Sequence, residues 1–264
     1  MNLFLYLDKN TLVHRLDPLT KILGTLILFL YSLCFNHPLY LCVMSLMILV
    51  LAFFSRAMVN LYRFRFVLLL LFLFSTLIWP FFIKGSRLVF SWKGLEVSQE
   101  SFLYGLAMGL RLSNFVATGL IFLSTTRHEE LIHGLIRMKT PYPIAFALST
   151  ALRLIPTFVG AGATIIRAQI SRGLNLESGS IFGRFRKFIP QAVPLLIYAI
   201  RYTNLLAIAL ESKGFSPEAK RTFYYESHMK RIDYFILLIL IGGLLLILYL
   251  RIGLSLGAIF PNRV

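Results

Sequence analysis

The sequence predicts an all-α integral membrane protein, with about five transmembrane helices and a helical module inserted before the last of them. Three observations carry this. Hydrophobic residues make up 58% of the 264 residues and charged residues only 14%, against about 45–50% and about 25% in soluble domains. Five apolar runs come close to the roughly 20 residues that cross a bilayer as a helix. The cations, 27 Lys and Arg against 11 Asp and Glu, gather between and at the ends of those runs. That placement argues against nucleic acid as a partner and for basic loops beside lipid headgroups.

The first run covers residues 21–35. Asp17 followed by Pro18 starts its helix, with a carboxylate at the N-cap and proline at the first helical position. A turn at "NHP" leads into the second run, residues 39–54. The stretch "SRAMVNLYRFRF" then brings Arg56, Arg63 and Arg65. The third run is 66–83, a polar, turn-like segment covers 84–101, and the fourth run is 102–123, with Arg111 inside it. The first connection carries no Lys or Arg, the second carries three Arg, and the segment after the fourth run carries Arg127, Arg137 and Lys139. The positive-inside rule therefore puts the N-terminus, the second connection and the segment after the fourth run in the cytoplasm. Lys84, Arg87 and Lys93 run against this orientation. No cleavable signal is expected.

From residue 127 the character changes. Helical stretches continue, interrupted by Pro141, Pro143, Pro156, Pro190 and Pro194 and mixed with Arg153, Arg167, Arg172, Arg201, Glu211 and Lys213. Small residues crowd "STALRLIPTFVGAGA", which permits close helix approach. A last apolar run, 232–250, reads as a spanning helix. The expected division is 1–126 (four membrane helices), 127–229 (the helical module) and 230–264 (the last helix). Several chemistries are excluded by spacing. His128 and His133 are five apart, not four as in HExxH, so no metal site is expected. Glu129 and Glu130 fit the first turn of a helix reaching about residue 138. No GxxxxGK[ST] loop and no GxSxG elbow is present. The expectation is a chain that is not an enzyme and holds no cofactor. Cys34 and Cys42 read as small apolar side chains. Arg111 lies within an apolar run, where a cation is costly unless paired or hydrated. Its partner is not legible in the sequence, and a structural and a transport role both stay open.

Two stretches repeat one pattern. "RAQISRGLN" and "AIALESKGF" align Ala168, Ser171, Arg172, Gly173 and Leu174 with Ala209, Ser212, Lys213, Gly214 and Phe215. Each tag by itself is an ordinary helix stop, with a cation in the last turn and glycine just beyond. A helix stop requires neither the serine nor the alanine four residues before the cation. The match points to two equivalent helix ends, each offering one cation to one of two equivalent sites, as a two-fold partner would supply.

On these residues the chain resembles the transmembrane T component of energy-coupling factor transporters, the EcfT/CbiQ family. The resemblance covers nearly the whole chain. It rests on "LVHRLDPLTKILGTLILFL", on "LSTALRLIPTFVGAGATIIRAQISRG" and on "IPQAVPLLIYAIRYTNLLAIALESKGF", the last two ending in variants of the family's paired Ala-Arg-Gly motifs. Ser171 stands for the usual alanine in the first motif, and Ser212 and Lys213 for alanine and arginine in the second. Gly160 to Gly162 occupies a place where the family often has an acid. The resemblance implies a non-catalytic, multi-pass subunit of the prokaryotic plasma membrane, with 127–229 as a cytoplasmic coupling module. It implies docking of Ser171, Arg172 and Gly173, and of Ser212, Lys213 and Gly214, in grooves of two ABC ATPase subunits, with Arg153, Pro156, Ala168 and Ala209 as further coupling residues. It also implies a membrane-embedded S component that binds a vitamin or metal ion for uptake. The competing expectation is a standalone secondary transporter or channel, for which Arg111, Arg153 and Arg201 are the available pathway markers.

Overall fold

The computed structural model describes residues 5–83, 88–92, 95–173, 181–216 and 229–254. Lys84, Arg87, Lys93 and Leu174 lie outside them. Helix α1 (Pro18–Cys34) starts where expected, with the Asp17 carboxylate accepting the Leu19 N–H at 3.0 Å. Helix α2 (Pro38–Phe54) follows the Asn-His-Pro turn, and the Leu39 N–H donates to His37 Nδ1. The arginine-rich corner after it folds into a short helix, α3 (Met58–Arg63). Helices α4 (Arg65–Phe82) and α5 (Gln99–Thr125) flank the segment expected to be a turn. That segment instead contains an antiparallel pair, β1 (Leu88–Trp92) and β2 (Leu95–Ser98), with Phe90 opposite Val97 and Trp92 opposite Leu95. Its aromatic and branched residues favour extended pairing over a plain turn. The amphipathic helix α6 (His128–Arg137) comes next, then α7 (Tyr142–Ser171), α8 (Ile181–Ser212) and α9 (Arg231–Leu254).

Among the described residues five helices are long and apolar enough to cross a membrane, but they are not the five runs singled out in the sequence. They are α4, α5, α7, the Ile189–Ser212 part of α8, and α9. Helices α1 and α2 have 17 residues each, about 26 Å at about 1.5 Å per residue, the short limit for a span. Prolines do not break α7 or α8 as expected. Pro141 and Pro143 sit at the start of α7, where no intrahelical N–H is needed, and Pro156, Pro190 and Pro194 lie inside continuous helices.

The chain divides into two compact units, Met1–Met138 with Ser227–Val264, and Lys139–Glu226. In the first, α5 is the central helix, with α1, α2, α3 and α4 packed on it. The core is formed by Ile27, Leu28, Tyr31, Ile48, Ile121 and Leu237. Between lipid-facing helices no water is expelled, so close packing has to provide the attraction. Gly105 and Gly109 do this against α4. A Cβ on Gly105 would come within 2.7 Å of the Thr76 carbonyl, and one on Gly109 within 2.7 Å of the Phe72 carbonyl. Helix α6 packs on α1 in this same unit, so the compact division falls after α6. The starts of α1 and α9 lie together, because the Asp17 N–H donates to Asp233 Oδ1 at 2.9 Å. Two packed helices that start at the same end of a bundle run parallel.

In the second unit α7 and α8 run antiparallel. Phe158 in the middle of α7 meets Tyr198 and Tyr202 in the middle of α8, each at 6.0 Å between ring centroids. Phe215, just past the end of α8, packs on Phe146 near the start of α7 at 4.7 Å.

Candidate functional site

Both tags end their helices on a left-handed glycine whose N–H bonds the carbonyl three residues back. At the first, the Gly173 N–H donates to the Ile170 carbonyl at 2.9 Å, with Gly173 at φ 89°. At the second, the Gly214 N–H donates to the Glu211 carbonyl at 2.9 Å and the Phe215 N–H to the Leu210 carbonyl at 3.0 Å, with Gly214 at φ 71°. The two bonds of the second tag are the Schellman pattern, in which a left-handed glycine lets the chain turn back over its last carbonyls; the first tag shows the glycine's bond and its left-handed φ, and the next residue, Leu174, lies outside the described residues. A side chain at either glycine would be strained there. The serines are occupied locally. Ser171 donates to the Arg167 carbonyl at 3.1 Å and Ser212 to the Ala209 carbonyl at 3.0 Å. They act as small residues, not as free donors.

The geometry presents the cations. Ser171, Arg172, Gly173, Ser212, Lys213 and Gly214 are all exposed. Among the described residues, neither Arg172 nor Lys213 pairs with a carboxylate. Ala168 and Ala209, also exposed, lie one turn before each cation on the same helix face, so a bare methyl stands beneath each charge. Arg153 and Pro156 are exposed on α7, away from either tag. The antiparallel crossing holds the two helix ends apart. Tag two sits against Phe146 and tag one follows Ser171, a separation of about 38 Å along α7 at about 1.5 Å per residue. No single small site could hold both.

Two polar assemblies of the membrane unit were not legible in the sequence. Arg111 is 9% exposed and, among the described residues, has no carboxylate partner. Its Nε donates to the Ser32 carbonyl at 3.0 Å, and its Nη2 to the Phe35 carbonyl and Asn36 Oδ1, both at 2.7 Å. These acceptors lie at the C-terminal end of α1. The short α1 stops at the depth where the longer α5 still has turns to run, and its last carbonyls have no helical donors. Arg111 supplies donors and a positive charge at the negative helix end. The puzzles of a short helix and a buried cation therefore answer each other.

At the opposite end of α1, four charged side chains join α6 to the bundle. Lys21 Nζ donates to the His14 carbonyl at 2.9 Å, the Thr125 carbonyl at 3.0 Å and Glu130 Oε2 at 2.8 Å. Arg137 Nη1 donates to Asp17 Oδ2 at 2.7 Å. Asp233 accepts the backbone N–H groups of Asp17 and Lys230. Glu130 is therefore more than a first-turn charge. His14 stands beside this network. Its Nε2 donates to the Leu7 carbonyl at 2.9 Å and its Nδ1 accepts from the Thr11 hydroxyl at 2.7 Å. Burial holds its pKa below the ordinary 6.5, outweighing the bond to the Leu7 carbonyl, which raises it, and the charge of Lys21 lowers it further.

Comparison with known proteins identifies the family. The family model for CbiQ, cobalt transport protein, matches residues 9–225. The energy-coupling factor transporter transmembrane protein EcfT of Staphylococcus aureus is 31% identical, over 83% of this chain and 85% of that protein. The protein of the same name from Thermanaerovibrio acidaminovorans is 34% identical, over 82% and 84%. That from Thermotoga maritima is 30% identical, over 93% and 92%. The matched residues 9–225 include α1 to α8 and both cationic helix ends, and the chain belongs to the CbiQ/EcfT family.

Proposed function

We propose that the chain is the transmembrane coupling subunit of an energy-coupling factor importer of the prokaryotic plasma membrane, and that its two tags are the docking points for two ABC ATPase subunits. The observation that carries the docking assignment is the pairing itself: two helix ends closed by a left-handed glycine, each exposing one cation that pairs with no carboxylate among the described residues, at opposite ends of a crossed helix pair. Two ATPase subunits related by a two-fold offer two grooves at such a separation. A cation entering a groove pairs with a carboxylate there, and the flat Ala-Ser surface allows close approach. When ATP closes the ATPases, the grooves approach each other. A rigid α7–α8 pair held at both ends must then tilt or shift, and that motion is passed to a membrane-embedded S component. The S component carries the vitamin or metal ion. The chain itself performs no chemistry, since hydrolysis belongs to the ATPases.

The names of the relatives support membership in such a transporter. The role of Arg111 counts against the standalone transporter or channel, because the most buried candidate for a pathway cation is spent on carbonyls. Charge reversal tests the docking. Arg172→Glu with Lys213→Glu should abolish co-purification with the ATPases and uptake, while the chain still inserts and folds. Each truncated buried charge pair costs about 2–5 kcal/mol of binding, so losing both exceeds what micromolar assembly tolerates. Normal assembly and transport by the double variant would overturn the docking role. Uptake by the chain alone in liposomes would favour the standalone reading.

A further inference from the structure

The first unit contains a cavity of about 300 Å³ between α1, α2, α5 and α9. Gly24, Leu28, Met47, Leu51, Ile121 and Leu240 form most of its wall. Helices α1 and α2 touch each other little and both lean on α5, so the cavity is the space between them. It opens on the α2 side, where Met47, Val50 and Phe54 are exposed. Two buried hydroxyls line it without a hydrogen-bond partner among the described residues, Thr20 Oγ1 and Thr118 Oγ1. Thr20 and Lys21 mark the end of the cavity nearest the charged network. Thr118 lies two turns deeper along α5 than Thr125, about 10 Å.

We infer that this cavity binds one acyl chain of an anionic phospholipid, with the headgroup at the Arg15 and Arg56 end. Three observations choose this occupant. Ordered water needs two to four polar partners, and two isolated hydroxyls on an apolar wall do not supply them. The volume is about twice that of apolar protein cavities known to take up small hydrocarbons, and the opening faces the bilayer. Arg15 is exposed between the lining residues Val13 and Leu16, and Arg56 is exposed two residues after the lining residue Phe54. Two exposed cations beside lining residues in the chain, Arg15 with its Nε donating to Asn10 Oδ1, complement a phosphate attached to a hydrocarbon chain. The Thr20 hydroxyl, at the third residue of α1, is placed to donate to an ester carbonyl. Thr118, deeper in, meets only hydrocarbon.

The test is photolabelling of the full chain in phosphatidylcholine nanodiscs doped with phosphatidylglycerol that carries a diazirine in its acyl chain. Labelled peptides should contain residues 24–28 and 121–125. Met47→Trp, which fills the slot from its open side, should reduce that labelling severalfold while labelling of α4 is unchanged. Arg15→Gln with Arg56→Gln should reduce it about thirtyfold, the order expected of two arginines each contributing about 1 kcal/mol toward an anionic headgroup. Thr118→Val should leave it equal or stronger. Equal labelling by a phosphatidylcholine probe, weaker labelling of Thr118→Val, or no labelling at these peptides would each overturn the proposal. So would its disappearance when the S component is assembled on the chain, since the cavity would then belong to that partner.

Discussion

Replacing Lys21 by methionine isolates the contribution of one buried charge. Methionine keeps most of the aliphatic stem, so little cavity forms, and the ammonium is lost. The side chain is 3% exposed and that of Glu130 is 25% exposed. All three protons of the ammonium are used, by the His14 and Thr125 carbonyls and by Glu130. Lys21→Met therefore strands a carboxylate and two carbonyls at once. Removing one partner of a buried pair costs about 3–5 kcal/mol, and the access of Glu130 to solvent places this case near the lower value. At about 2–4 °C per kcal/mol for a chain of this size, the apparent Tm should fall by about 6–12 °C. Glu130→Gln keeps an acceptor and should cost less. The double variant should be more stable than the sum of the two losses predicts, with a coupling of about 1–3 kcal/mol. Thermal unfolding in detergent measures all three variants. Tryptic cleavage after Arg137 and Lys139 should accelerate in Lys21→Met, because α6 loses one of its two ionic ties to α1. A Tm loss below about 2 °C, or strict additivity in the double variant, would refute the assignment of Lys21 as the tie between α1, α5 and α6.

Gly109→Ala should destabilise the α4–α5 contact by about 1–3 kcal/mol through overpacking on backbone, whereas Gly119→Ala, which meets nothing within 4 Å, should be neutral or stabilising; denaturant titration of the two side by side checks this. Gly214→Ala should cost about 1–2 kcal/mol of strain at a left-handed residue and weaken ATPase co-purification, with Gly214→Asn recovering part of both because asparagine tolerates that conformation. His14 has a folded-state pKa below 6.5, so the unfolded chain binds the proton more readily. Stability should be level above about pH 6.5 and fall as pH drops below it, and His14→Gln should flatten that dependence in a pH series of thermal melts.

Local chemistry along the chain already decides a good deal here. Asp17 caps α1 because its carboxylate reaches an N–H two residues away, whatever lies around it. The two glycines stop α7 and α8 because no other residue turns the chain back so cheaply, and the serines bond within their own helices. Apolar runs mark the helices because a bilayer demands length and composition, both of which are linear properties. Packing decides the rest. Arg111 finds its acceptors more than seventy residues away, and Lys21 and Asp17 find theirs across more than a hundred. Such partners depend on which helices are neighbours and where a short helix ends beside a long one. The same holds for α6, whose charges read as ordinary first-turn acids until α1 is placed beneath them. It holds for the tags too: their shape is local, but their wide separation comes from the antiparallel crossing of α7 and α8, which no spacing in the sequence expresses.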